Sequence, residues 1–216
     1  MPSAAKKLVI VQNDEDQTSE PQARAEELRL LEALLFAAAV PAHAQADYPK
    51  QPIKFVVGFA PGGGTDILAR MIAVPLAQRL GQPVTVDNKP GASGTIANMA
   101  VKNAPADGYT LLIGASGAMT INPAVQHNLP YDPINDYDPI TVLGTYPIVF
   151  SAKLDLTVRT TRELVAKAKS TPGGLNFGGA GVLCQLEGEL FNQQAGISTT
   201  YVAYGGTAPA IAAVLG

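Results

Sequence analysis

The sequence predicts an α/β fold built on parallel strands, and three observations carry that prediction. Short, apolar, β-branched runs recur along the chain; each ends in a glycine-rich turn; and each turn opens a helical pattern of apolar residues. Strand, glycine turn and helix follow one another three times between Ile53 and Asn122 and resume after Thr160. Such alternation argues for parallel strands joined by right-handed helical crossovers. The runs are continuously apolar instead of alternating, as strands buried on both faces are.

The first strand is IKFVVG (53–58), and the turn GFAPGGGTD (58–66) closes it. TDILARMIAVPLAQRLG (65–81) is a helix with Leu68, Ile72, Leu76 and Leu80 on one face and Gly81 as C-cap; Pro75 is expected to bend it or shift its register. PVTVDN (83–88), KPGASG (89–94) and TIANMAVKNA (95–104) repeat the plan. TLLIGA (110–115) is the third strand and ends in GASG (114–117), before a short helical stretch towards Asn122-Pro123. LPYDPINDYDPI (129–140), rich in Pro and Asp, reads as a loop. ITVLGTYPIVFSAK (140–153) reads as a strand long enough to pass from one lobe to another. In TTRELVAKAKSTPGG (160–174) a Thr cap opens a helix and Pro-Gly stops it. LNFGGAG (175–181) and TTYVAYGG (199–206) are strands, LEGELFNQQAG (186–196) a helix, and TAPAIAAVLG (207–216) the start of another. The expected partition is an atypical N-terminal segment over 1–46, a first α/β lobe over 47–145 and a partial second α/β lobe over 146–216.

The N-terminal segment follows other rules. Residues 12–27 are polar and acidic, LRLLEALLFAAAV is apolar, and PAHAQA carries two small-x-small sites, Ala42-His43-Ala44 and Ala44-Gln45-Ala46. Its second half has the end of a secretory signal. Its first half does not, because Glu26, Glu27, Arg29 and Glu32 crowd the apolar run and Lys6-Lys7 lie too far upstream. An amphipathic helix over 24–39, with Leu28, Leu31 and Leu35 on one side, accounts for the same residues.

Composition removes several function classes. The 216 residues are 47% hydrophobic and 15% charged, with a net charge of −3 and a pI near 5.3. No basic field is offered to nucleic acid or an anionic membrane, and the apolar stretches fall short of a bilayer span. A single cysteine, Cys184, leaves no internal disulfide, and the two histidines, His43 and His127, are far apart. Metal sites and His-assisted nucleophiles are therefore poorly supplied. No catalytic residue, metal ligand or cofactor is assigned.

What remains is the glycine turns. In a parallel α/β sheet, ligands sit beyond the carboxyl ends of the strands, where helix N-termini present free N–H groups. Four strand ends carry that equipment: Pro61-Gly62-Gly63-Gly64-Thr65, Gly91-Ala92-Ser93-Gly94-Thr95, Gly114-Ala115-Ser116-Gly117 and Gly178-Gly179-Ala180-Gly181. None contains Lys, Arg or His, so the ligand expected is a small anion, most simply a carboxylate, held by amides and hydroxyls. A P-loop would need a lysine where Thr65-Asp66 stands, and Gly114-Ala115-Ser116-Gly117-Ala118 lacks the second glycine of a nucleophile elbow. For any one of these loops, turn closure and helix capping are explanation enough. Four together point to a site.

The run from Tyr48 to Gly216, with PGGGTD, NKPGASG, ADGYTLL, LPYDP and YGGTAPA, resembles the extracytoplasmic substrate-binding proteins of tripartite tricarboxylate transporters, the Bug or TctC-type family. Residues 1–45 do not share that likeness; LRLLEALLFAAA faintly resembles the start of bacterial chromosome segregation and condensation protein B, which suggests a fused or mispredicted gene start. The family resemblance implies a two-lobed periplasmic-binding-protein fold, type II-like, with an incomplete second lobe here. It implies a periplasmic monomer that takes up a small carboxylate between its lobes, partly through bridging waters, and delivers it to integral-membrane permease subunits, with no catalysis. Carried over, it places Phe59, Ala60, Pro61, Gly62, Gly63, Gly64, Thr65 and Asp66 at the first loop, Ser116 and Asn122 at the third, and Ala180, Gly181, Tyr204, Gly205, Thr207, Ala208 and Pro209 in the second lobe. For Asp66 a helix-terminal charge with Arg70 one turn on is the other role. Val182-Leu183-Cys184-Gln185 departs from the small polar loop of the family, and a chain ending at Leu215-Gly216 is expected to be poorly stable and to bind weakly or not at all. Two other readings stay open: a truncated or fused fragment without function, and an α/β enzyme acting on a small organic acid.

Overall fold

The computed structural model describes residues 7–10, 48–171 and 174–216. The signal-like end at 42–46 and the alternative helix over 24–39 lie outside the described residues. In chain order the elements are β1 (Lys7–Ile10), β2 (Ile53–Val57), α1 (Gly64–Leu80), β3 (Val84–Asn88), α2 (Thr95–Lys102), β4 (Thr110–Ile113), a wide helical turn over Gly117–Ile121 running into α3 (Asn122–Val125), β5 (Tyr137–Pro139), α4 (Thr161–Ser170), β6 (Leu175–Ala180), α5 (Gly181–Ala195), β7 (Thr199–Tyr204) and α6 (Thr207–Leu215). They form two parallel sheets, one of order β3-β2-β4-β1-β5 and one pairing β6 with β7. The fold is the two-lobed α/β arrangement expected.

The first sheet is buried on both faces. Ile53, Phe55 and Val57 of β2 pack with Ala69, Ala73 and Leu76 of α1 on one side. Val56 and Leu112 meet Ala97 and Val101 of α2, with Met119, Tyr131 and Tyr137, on the other. This two-sided burial is why IKFVVG shows no polar alternation.

Several expectations need correction. In α1 the buried apolar residues are Ala69, Ala73 and Leu76, with Ile72 and Leu80 packed partly against them. The alanines let the helix lie close to the sheet, and the expected stripe through Leu68 is displaced towards them. Pro75 sits inside one unbroken helix. The carbonyl it strands belongs to Met71, whose side chain is 65% exposed, so water can donate in place of the lost N–H. The stretch read as a loop over 129–140 contains β5 and buries Tyr131 and Tyr137; the Tyr137 hydroxyl donates to Asn98 O at 2.9 Å. The long strand expected over 140–153 joins no ladder beyond β5 among the described residues. α5 starts at Gly181 instead of 186, so Val182–Gln185 are its first turn and no loop separates them from β6. Finally, β1 has no counterpart among the expected elements. KLVI pairs with β4 (Val9 with Leu112) and with β5 (Lys7 with Tyr137), and so takes a place between two strands of the first sheet.

Candidate functional site

All four glycine turns meet at one place. A Cβ placed on Gly58 would lie 2.9 Å from Gly94 Cα, one on Gly94 3.1 Å from Ala118 Cβ, one on Gly117 3.3 Å from Val182, and one on Gly181 3.2 Å from the Phe59 ring. The turns enclose a cavity of about 920 Å³ whose lining includes Gly63, Gly64, Ser93, Ala115, Ser116, Gly117 and the whole of Gly178–Gly181. The size suits a small organic molecule.

The first turn is held by hydrogen bonds of its own. Gly62 takes a left-handed φ of 83°, which glycine adopts without a Cβ penalty. Its N–H donates to Asp66 Oδ2 at 2.9 Å. Asp66 is 2% exposed, and it also accepts from Arg70 Nε at 3.0 and 3.1 Å and from Asn88 Nδ2 at 2.8 Å. Asn88 donates as well to Phe59 O. Of the two roles open to Asp66, the geometry shows the ion pair one helical turn long; the carboxylate ties turn, helix and strand end together.

Burial by itself pushes the Asp66 carboxyl up. The Arg70 bond, the Gly62 amide and the Asn88 amide outweigh it and hold the group below the ordinary carboxylate range. A depressed folded value means stability that is fully present above the unfolded value, near about pH 4, and is lost as pH falls through the folded one. Asp66→Asn should therefore lower stability at neutral pH by about 2–3 kcal/mol and flatten the acid limb of the profile. Urea unfolding between pH 3 and 7 checks this; parallel wild-type and variant profiles would contradict it.

Gly63 is the extended N-cap of α1 and offers no side-chain cap bond. The first-turn amides after it have no intrahelical acceptor. Beside them stands a residue the sequence did not single out, Tyr146. Its ring lies 2.9 Å from where a Gly64 Cβ would be, and its hydroxyl is 3.3 Å from Thr65 Oγ1. Thr65 is 4% exposed and faces the cavity. Opposite, Thr207 at the start of α6 approaches Gly63, its Oγ1 3.5 Å from a Gly63 Cβ position. Ala60 N donates to Gly205 O at 2.7 Å, linking the turns of the two lobes. The second turn carries strain at the same spot: Ala92 and Ser93 are left-handed at φ 46° and 51°, costing about 1–3 kcal/mol each where neighbours hold them so.

Of the residues named from sequence, Phe59, Gly63, Gly64, Thr65, Ser116, Ala180, Gly181 and Thr207 line the cavity. Ala60, Pro61, Gly62, Asp66, Tyr204, Gly205, Ala208 and Pro209 are not part of the lining. Asn122 is completely buried; its amide nitrogen lies 3.3 Å from Ser93 O and 3.4 Å from the Tyr131 hydroxyl oxygen, so it braces the second turn from behind. Sequence reading missed Tyr146, Phe150, Cys184 and Glu187 in the lining. Tyr146 and Phe150 belong to the segment taken for a strand, and Cys184 and Glu187 enter the site because α5 begins at Gly181. Burial pushes the Cys184 thiol up, leaving it neutral. Lys, Arg and His are absent from the described lining, and no group of His, Cys, Asp and Glu among the described residues could hold a metal ion.

Comparison with known proteins fits this geometry. The profile of the tripartite tricarboxylate transporter family receptor, TctC, matches residues 68–216. A UPF0065 protein of Bordetella pertussis is 37% identical over 188 residues, 86% of this chain and 58% of that protein. The solved structure of MatC from Rhodopseudomonas palustris with bound malate superposes with a TM-score of 0.72 at 32% identity, covering 77% of this chain and 57% of that one. That of R. palustris Rpa4515 with adipate gives 0.68 at 34%, covering 78% and 57%. The chain thus spans less than three fifths of the length of these relatives. Matched over more than half its residues by the family profile, and over most of them by relatives at this identity, the chain belongs to the tripartite tricarboxylate transporter receptor family.

Proposed function

We propose that this protein binds a small organic carboxylate in the cavity between its lobes and serves, in the periplasm, as the solute-capturing partner of integral-membrane permease subunits. It binds and does not transform its ligand. The observation that carries this reading is the convergence of four glycine turns on one cavity. There the first turns of α1, α5 and α6 and the hydroxyls of Thr65, Ser116, Tyr146 and Thr207 supply donors without a cationic side chain. Donors of this kind favour an anion through their aligned dipoles and accept a carboxylate at less desolvation cost than a buried salt bridge. The malate and adipate in the structures of two relatives support the choice of carboxylate.

Thermal unfolding with malate, adipate and hexanoate tests the reading. A ligand present at 100 times its Kd adds about 2.7 kcal/mol, which should raise Tm by roughly 5–10 °C in a chain of this size, while the ligand is recovered chemically unchanged. Flat Tm values with all three acids would contradict it, and so would conversion of any of them.

A further inference from the structure

We infer that the gap between β4 and β5 is a strand-accepting site, and that a second copy of this chain fills it with its own Lys7–Ile10 segment to give a strand-exchanged dimer. Among the described residues β1 alone joins those two strands. Val9 pairs with Leu112 of β4 and with Pro139 of β5, and Lys7 pairs with Tyr137. Neighbouring strands lie about 4.8 Å apart, so withdrawing β1 would open a gap about 10 Å wide, the width of one strand. Leu112, Ile113 and Tyr137, on the two strands that flank it, are at most 2% exposed. An empty gap would leave backbone N–H and C=O groups unpaired along both edges and uncover that core, so the sheet requires an occupant.

The ladders set the class of ligand. An occupant enters parallel to both neighbours, extended, free of proline and apolar, as KLVI is after its lysine. A second copy is the partner favoured because β1 is so loosely tied to its own sheet. It is four residues long. All its partners lie beyond Tyr109 in the chain, and residues 11–52 separate it from β2. The effective concentration that such a connection provides falls as about the −3/2 power of its length. The same segment of another copy makes the same backbone hydrogen bonds in the same register, so exchange leaves the sheet unchanged and costs little beyond association itself.

The test uses a fluorescent synthetic peptide of residues 1–12, standing in for the strand of a second copy, with the whole chain and with the whole chain carrying Val9→Pro. Proline at that place removes an amide from a central strand, so the variant cannot fill the gap with its own segment. The peptide should bind the variant at least about tenfold more tightly than wild type, because the internal competitor is gone, and should raise the variant's Tm by about 5 °C or more. A variant too unstable to fold alone should regain its circular dichroism when the peptide is added. A peptide that itself carries Val9→Pro should do neither. In parallel, wild-type chain refolded from urea at rising concentration should sediment increasingly as a dimer, and excess peptide should return it to monomer. Equal affinity for both chains, equal binding of the proline peptide, no binding or rescue by the wild-type peptide, or a monomer at every concentration would each overturn the inference.

Discussion

Gly63→Asp should weaken carboxylate binding at least about 100-fold without destabilising the fold. Gly63 is the N-cap of α1 with φ −85° and ψ 169°, a conformation any residue adopts. A Cβ there would sit 3.5 Å from Thr207 Oγ1 and 3.6 Å from Thr207 Cβ, ordinary van der Waals contact. Aspartate is a preferred N-cap, and its carboxylate accepts the first-turn amides and faces the positive end of the helix dipole. It gains a few tenths of a kcal/mol over glycine in that role. The same carboxylate occupies the donors a ligand needs and repels the ligand's charge. Each charge-assisted hydrogen bond lost costs about 1.5–3 kcal/mol, so affinity should fall at least about 100-fold. Gly63→Ala, with room for its methyl and no charge, should bind within a few fold of wild type. Calorimetric titration beside thermal unfolding reads both quantities; retained affinity in Gly63→Asp would mean that the ligand sits elsewhere.

Gly58→Val should do the reverse and destabilise the fold through packing alone. Gly58 follows β2, where the backbone of the second glycine turn passes so close that a Cβ would stand 2.9 Å from Gly94 Cα and 3.5 Å from Gly94 O, with Ala97 Cβ at 3.3 Å. The obstacle is main chain held between a left-handed Gly94 at φ 92° and the start of α2, so it cannot swing aside as a side-chain tip would. Overpacking of this kind costs about 1–3 kcal/mol, more for a branched side chain, and should lower Tm by roughly 2–12 °C. Chemical denaturation gives the free energy directly. An unaltered midpoint would show that the two turns do not pack as described. The pair of substitutions separates glycines that leave room for a ligand from glycines that leave room for each other.

The parts of the architecture written in local pattern are readable from the chain. Strands buried on both faces show as unbroken apolar runs, as IKFVVG does, and their glycine ends mark where helices begin. Thr160 is recognisable as a cap because threonine three residues before Glu163 satisfies an early amide, and in the structure its hydroxyl accepts from Glu163 N at 3.2 Å. What escapes depends on partners distant in sequence. β1 is four residues beside an acidic stretch, and only pairing with β4 and β5 makes it a strand. The segment around Tyr146 has strand-like composition but finds no ladder among the described residues, and its aromatic ring instead covers the first turn of α1. The glycine turns border one cavity, yet about half the residues named from sequence do not line it. Distance along the sequence says which loop a residue belongs to, whereas the direction of a side chain at a helix start is settled by what packs on it, as Arg70 and Asn88 settle Asp66.

On the proposed function, main-chain amides at the helix starts, aided by hydroxyls, grip the acid group. Amide nitrogen–proton spectra recorded during titration with hexanoate test it most directly. The largest downfield shifts should fall on Gly64, Thr65 and the first-turn amides of α5 and α6, with those of Lys and Arg residues elsewhere unmoved. Saturable binding that leaves these amides in place, and shifts surface Lys or Arg residues instead, would contradict it.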